Sequence, residues 1–258
     1  MRLYLLMPLL CLAFISKYLR ADDPAPGGSD EPLKILFIGN SFTYTNQMPQ
    51  ILQGLAASRK RKIEVAMHAP GGCTLEKHWQ EGKAAEMIGS KKWDVVVLQE
   101  RYMVPLENPK NMKEYAGKFH ELIKKQGAKT VLFMTWALQD KMATTRRIAI
   151  AYEETAKGLG ATVAPVGIAW QKALSGNKPF TLHAADKLHP NEQGSYLTAC
   201  VFFAALIDPK TDGLPGRLVF NGKELTNIPT ADAARLQRAA REAVREEKDK
   251  QESPAEKK

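Results

Sequence analysis

The chain predicts an α/β fold: a five-stranded parallel sheet with helices on both faces, and a small hairpin-helix appendage at the C-terminal end. Three observations carry this. Five short apolar, β-branched runs alternate with helical stretches, the pattern of a parallel sheet. Runs such as Val95-Val96-Val97-Leu98 are apolar without alternation, as in strands covered on both sides. A length of 258 residues with 44% apolar content suits one domain with a sizeable core.

The first strand is expected at Lys34–Ile38, stopped by Gly39-Asn40-Ser41, with a helix following at Gln47–Ser58. The second strand is read at Ile63–Met67, and Pro70-Gly71-Gly72 turns the chain toward a helix at Glu76–Ile88. The third strand, Trp93–Leu98, leads to a helix at Asn111–Lys125. The fourth, Thr130–Met134, leads to a helix at Thr144–Leu159. Gly127 and Gly160 fall just past those two helices, where C-cap glycines belong. The fifth strand, Thr162–Val166, opens a long loop carrying His183, Asp186 and His189 before a helix at Asn191–Ile207. Beyond Ile207 the pattern changes. Arg217–Phe220 and Lys223–Leu225 flank Asn221-Gly222, a strong two-residue hairpin turn. Thr230 then caps a last helix through Glu246. The folded domain is placed at residues 33–245, with a charged disordered tail over 246–258.

The N-terminus reads as a signal peptide, residues 1–21. Arg2 precedes thirteen residues, Leu3–Ile15, that are almost all apolar. That is short for a membrane span and suits a secretory signal. Export to the periplasm or beyond is the expectation. Lys17 and Arg20, behind the apolar run, leave an uncleaved membrane anchor open. Residues 22–32, rich in Pro, Gly and Asp, read as a flexible leader. The formal net charge of +9 invites a nucleic-acid reading. The basic residues are scattered, however, and no aromatic-basic recognition motif is present, so no nucleic-acid partner is expected. Cys73 and Cys200 remain after signal removal and are read as small buried residues rather than a disulfide. No CxxC and no clustered His/Cys spacing points to a structural metal.

In a parallel sheet the loops after the strands share one rim. Here that rim collects Asn40-Ser41, Gly71-Gly72, Gln99-Glu100, Trp136, and the loop with His183, Asp186 and His189. A serine hydroxyl needs a base, a histidine supplies one near neutrality, and a carboxylate fixes its tautomer. Each residue also has a bland reading: Asn40-Ser41 as a helix cap, Gly71-Gly72 as a turn, Gln99 as a strand end, Asp186 and His189 as a loop ion pair. Their convergence on one rim favours chemistry. Trp136 and Trp170 are read either as sugar-stacking walls or as core.

Ordered blocks of the chain resemble the SGNH (GDSL-like) hydrolases, and within them the bacterial DUF4886-type branch. The blocks are Ile38–Phe42, Pro70–Trp79, Asp94–Glu100, Ala164–Ala169 and Asp186–His189. The resemblance covers roughly residues 33–245, well beyond the blocks themselves. The resemblance implies a three-layer, flavodoxin-like α/β/α sandwich and a serine esterase without cofactor or metal. Ser41 would be the nucleophile, His189 the general base and Asp186 its orienting acid. The Ser41 amide and an amide of Gly71 or Gly72 would form the oxyanion hole. Typical members place Asn in the third block as a further donor. Gln99 stands there instead, and its side-chain N–H is expected to take over that role. The substrate expected is a small-molecule or glycan ester, with an O-acetyl group on carbohydrate favoured. Two alternatives stay open: a non-catalytic glycan-binding module, and a metal-dependent phosphoesterase using Asp186, His183 and His189.

Overall fold

The computed structural model describes residues 31–175 and 180–252. The expected signal peptide, most of the expected leader, and residues 253–258 of the expected tail lie outside the described residues. The elements run β1 (Leu33–Ile38), α1 (Ser41–Tyr44), α2 (Met48–Ser58), β2 (Ile63–His68), α3 (Leu75–Glu81) and α4 (Lys83–Ser90). Next come β3 (Val95–Leu98), α5 (Val104–Glu107), α6 (Pro109–Lys125), β4 (Lys129–Phe133) and α7 (Thr145–Leu159). The chain finishes with β5 (Thr162–Ala164), α8 (Val166–Leu174), α9 (Glu192–Leu206), β6 (Arg217–Phe220), β7 (Lys223–Asn227) and α10 (Thr230–Glu252).

β1 to β5 form one sheet in the order β2-β1-β3-β4-β5, and every neighbouring pair is parallel. This is the expected three-layer α/β/α architecture. Alternate strand residues feed two separate cores, because successive side chains point to opposite faces. Ile35, Phe37, Val97 and Phe133 pack with α2, α8, α9 and α10. Leu36, Ile38, Val96, Leu98 and Leu132 pack with α3, α4, α6 and α7. The chain crosses from one side of β1 to the other between β2 and β3. The rim there, between the carboxyl ends of β1 and β3, is a topological switch point, where such folds open a crevice. β6 and β7 pair as the expected hairpin around Asn221-Gly222, both at positive φ.

Three details differ from the sequence expectation. The helix expected over Glu76–Ile88 is two helices, broken at Gly82 with φ 74°. Val166 starts a helix instead of ending a strand. Gly167 makes this fit: a Cβ there would lie 2.4 Å from the Thr135 carbonyl oxygen. The last helix runs six residues past Glu246, so residues 246–252 are not part of a disordered tail. The extra turns are held by buried Glu247 and by Lys250, whose Nζ lies 2.7 Å from Glu153 on α7. Among the described residues no helix is long and apolar enough to cross a membrane. Cys73 and Cys200 are both buried and free.

Candidate active site

β1 delivers the chain to the rim, and three small residues turn it. Gly39 must be small. A Cβ there would meet Thr43 Oγ1 at 2.5 Å and Gln99 Oε1 at 2.6 Å. Asn40 is extended (φ −145°, ψ −152°) and caps α1, its Oδ1 accepting from the Phe42 amide at 3.2 Å. Its Nδ2 donates to the Cys73 carbonyl at 2.9 Å, which ties this turn to the glycine loop after β2. Such a cap contributes about 1 kcal/mol. Ser41 therefore opens α1 with its side chain at the rim.

The second half of the site is the loop before α9. Asp186 Oδ1 accepts the amides of Leu188 (3.0 Å) and His189 (2.9 Å), which closes a tight turn with Lys187 at φ 62°. Asp186 Oδ2 is then 2.6 Å from His189 Nδ1, and His189 Nε2 is 2.8 Å from Ser41 Oγ. The three residues expected from sequence thus form one hydrogen-bonded line. The histidine contact holds the Asp186 carboxyl down at about 2, and the two backbone donors reinforce it. Asp186 is an anion at any physiological pH.

Several contacts that the sequence did not announce hold the two halves in register. Asn46 Nδ2 donates to the Pro190 carbonyl and to Ser195 Oγ, both at 3.0 Å, and so joins the segment after Ser41 to the residue after His189. Trp136 Nε1 donates to the Leu188 carbonyl at 3.0 Å. The Gln139 amide donates to the Lys187 carbonyl at 3.1 Å. Asn46 and Gln47 both adopt positive φ, which turns the chain between α1 and α2.

Trp136 and Trp170 are core, not sugar-stacking walls. They are almost fully buried and stack on each other at 4.1 Å. Phe42 continues the stack onto Trp136 at 4.4 Å and meets the His189 ring edge-on at 5.7 Å. The column is an aromatic floor beneath the histidine. His183 does not join Asp186 and His189 either. It is buried against Trp170, and its Nε2 lies 2.9 Å from the Ala137 carbonyl oxygen. Burial lowers its pKa. Its place is structural, bracing the loop of Asp186 and His189 through a β-bridge to Pro190.

Gln99 is the main correction. Its side chain is fully buried. Oε1 accepts from the Asn40 amide (2.8 Å) and from Thr43 Oγ1 (3.0 Å), and Nε2 donates to the Glu100 carbonyl at 2.7 Å. The amide faces the inside of the Ser41 turn rather than the cleft, so it is not the expected oxyanion donor. It fixes the turn: two donors would be left unsatisfied in the interior without it, at about 1–3 kcal/mol each. The amides of Ser41, Gly71 and Gly72, by contrast, make no hydrogen bond among the described residues. Gly71 and Gly72 are exposed in a turn closed by the Cys73 amide on the Pro70 carbonyl at 3.2 Å, with Gly72 at φ 66°.

Next to Gln99, Glu100 is almost fully buried. Its carboxyl accepts from the Leu75 amide (3.3 Å) and the Arg101 amide (2.6 Å), linking β3 to the helix after the glycine loop. Desolvation pushes its pKa up to about 7, against those donors. Between about pH 4.5 and 7 the folded chain keeps a proton that the unfolded chain has lost. Stability therefore falls as pH rises across that window, by up to about 3 kcal/mol. Glu100→Gln keeps an oxygen for both amides and removes the ionisation. The variant should melt higher than the parent at pH 8 and no higher at pH 4.5, as thermal unfolding across that range would show.

No family model and no curated protein matches the chain. Solved structures do. A candidate SGNH hydrolase from Slackia heliotrinireducens is 29% identical, with a TM-score of 0.59; the match covers 67% of this chain and 97% of that one. A DUF4886 family protein from Bacteroides uniformis is 20% identical, covering 83% and 95%, with a TM-score of 0.68. An acetyl xylan esterase is 16% identical, covering 67% and 100%, with a TM-score of 0.54. The chain shares the fold of these proteins, and its resemblance to the SGNH hydrolases extends to structures from both that superfamily and the DUF4886 branch.

Proposed function

We propose that this protein is a serine esterase that removes acyl groups, O-acetyl groups on carbohydrate being the favoured substrate, through an acyl-enzyme. The observation that carries the reading is the line Asp186 Oδ2, His189 Nδ1, His189 Nε2, Ser41 Oγ at 2.6 and 2.8 Å. Ester-bond hydrolysis is also the chemistry of the structural neighbours that are esterases, and an acetyl xylan esterase among them supports the acetyl-sugar choice. The expected signal peptide agrees with a substrate outside the cytoplasm.

In this mechanism His189 Nε2 takes the Ser41 proton as Oγ adds to the ester carbonyl. The π pair of the C=O moves to oxygen, which the Ser41 amide and an amide of Gly71 or Gly72 receive. The Asp186 carboxylate keeps the Nδ1 proton in place and stabilises the imidazolium. Collapse re-forms the C=O and breaks the bond to the alcohol, which leaves with the proton from His189. Water repeats the cycle and releases the acid.

The direct test offers the purified protein p-nitrophenyl acetate and an acetylated xylo-oligosaccharide, with and without EDTA. Acetate release from both, unchanged by chelation, is the expected outcome. Release from the aryl ester alone would keep the esterase and move the natural alcohol elsewhere. A folded protein that releases acetate from neither contradicts the reading.

A further inference from the structure

A tetrahedral intermediate places negative charge on one oxygen, and each further preorganised donor aimed at that oxygen adds stabilisation. The side chain placed by sequence to add a donor, Gln99, faces the interior. Another group stands at the cleft. Tyr44 lies three residues after Ser41, at the end of α1, and so on nearly the same side of that turn. The residue is 40% exposed, one of four large hydrophobic residues that are exposed among the described residues. Its hydroxyl lies 3.5 Å from where a Cβ on Gly71 would sit, directly over the glycine turn. It makes no hydrogen bond among the described residues. Gly71 and Gly72 carry no side chain, so nothing stands between the hydroxyl and that loop.

The geometry points to Tyr44 as a further catalytic residue: its hydroxyl donates to the oxyanion, between the Ser41 turn and the Gly71-Gly72 turn. The assignment rests on the esterase reading above. When Ser41 Oγ bonds to the carbonyl carbon, the C=O π pair moves to oxygen. That oxygen then accepts from the Ser41 amide, a glycine-loop amide and Tyr44 O–H. The tyrosine keeps its proton throughout, and the only proton that moves is the one passed to His189.

Tyr44→Phe removes the donor and keeps the ring. It should lower kcat about 10²-fold with KM within about twofold of the parent. A trifluoromethyl ketone, which forms the same oxyanion on Ser41, should bind about 10²-fold more weakly, while the melting temperature stays put. A merely structural ring would not separate these readouts. Equal kcat in Tyr44→Phe, or a raised KM with kcat intact, overturns the proposal and leaves an ordinary substrate wall. The esterase reading fails separately: parent protein that hydrolyses no ester removes both, whereas an active parent with an unaffected Tyr44→Phe removes only Tyr44.

Discussion

Ser41→Ala should lower ester turnover by 10⁴-fold or more while the chain keeps its fold. The hydroxyl is the only group the account gives to attack the carbonyl, and residual catalysis from the oxyanion donors and binding alone is small beside it. Nothing else depends on Oγ. Its recorded partner is His189 Nε2, and the turn around it is held by Asn40, Thr43, Thr45 and Gln99. Thermal unfolding of the variant should therefore match the parent within a degree or two. A variant with near-parental turnover of p-nitrophenyl acetate contradicts the account. A variant that loses activity and also melts far lower would mean that Ser41 serves the fold.

The second large effect is expected at Asp186, from a change that keeps shape. In Asp186→Asn, the Leu188 and His189 amides at 3.0 and 2.9 Å still demand an oxygen where Oδ1 stands. The new amide nitrogen is thereby forced to the Oδ2 position, 2.6 Å from His189 Nδ1. There it donates, so the imidazole must carry its proton on Nε2, facing Ser41. A protonated Nε2 cannot accept the serine proton. Turnover near neutral pH should fall about 10⁴-fold with little change in KM. Asp186→Asn activity within tenfold of the parent would show that His189 needs no partner. Since the Asp186 carboxyl titrates at about 2, no loss traceable to its protonation should be seen in the parent above about pH 4.

Strand-helix alternation carried the sheet, and parallel topology alone gathered Ser41, Gly71-Gly72, Asp186 and His189 on one rim. The hydrogen-bonded line of Asp186, His189 and Ser41 was legible because two short patterns announce it: Asp and His three apart on one loop, and a serine at a strand end. What sequence could not show was orientation. Gln99 sits at the right strand end, yet its amide turns inward, because the Asn40 amide and Thr43 hydroxyl in the facing turn need an acceptor. Composition makes Trp136 and Trp170 look like ligand walls, but the floor under His189 needs flat apolar area, and they stack there. The helix from Val166 was hidden because Val163–Val166 runs on without a polar residue, and only the close approach of Gly167 to Thr135 reveals the turn. Asn46 was unreadable for a similar reason. Its partners, Pro190 and Ser195, lie about 145 residues away in sequence.

The central claim is that Ser41 is a nucleophile activated by His189, and covalent labelling tests it most directly. The protein would be treated with a fluorophosphonate probe, digested, and the adduct located by mass spectrometry. The account predicts one stoichiometric adduct on Ser41, absent in Ser41→Ala and slowed by orders of magnitude in His189→Ala. A folded parent protein that takes no label, or takes it on another residue, would contradict it.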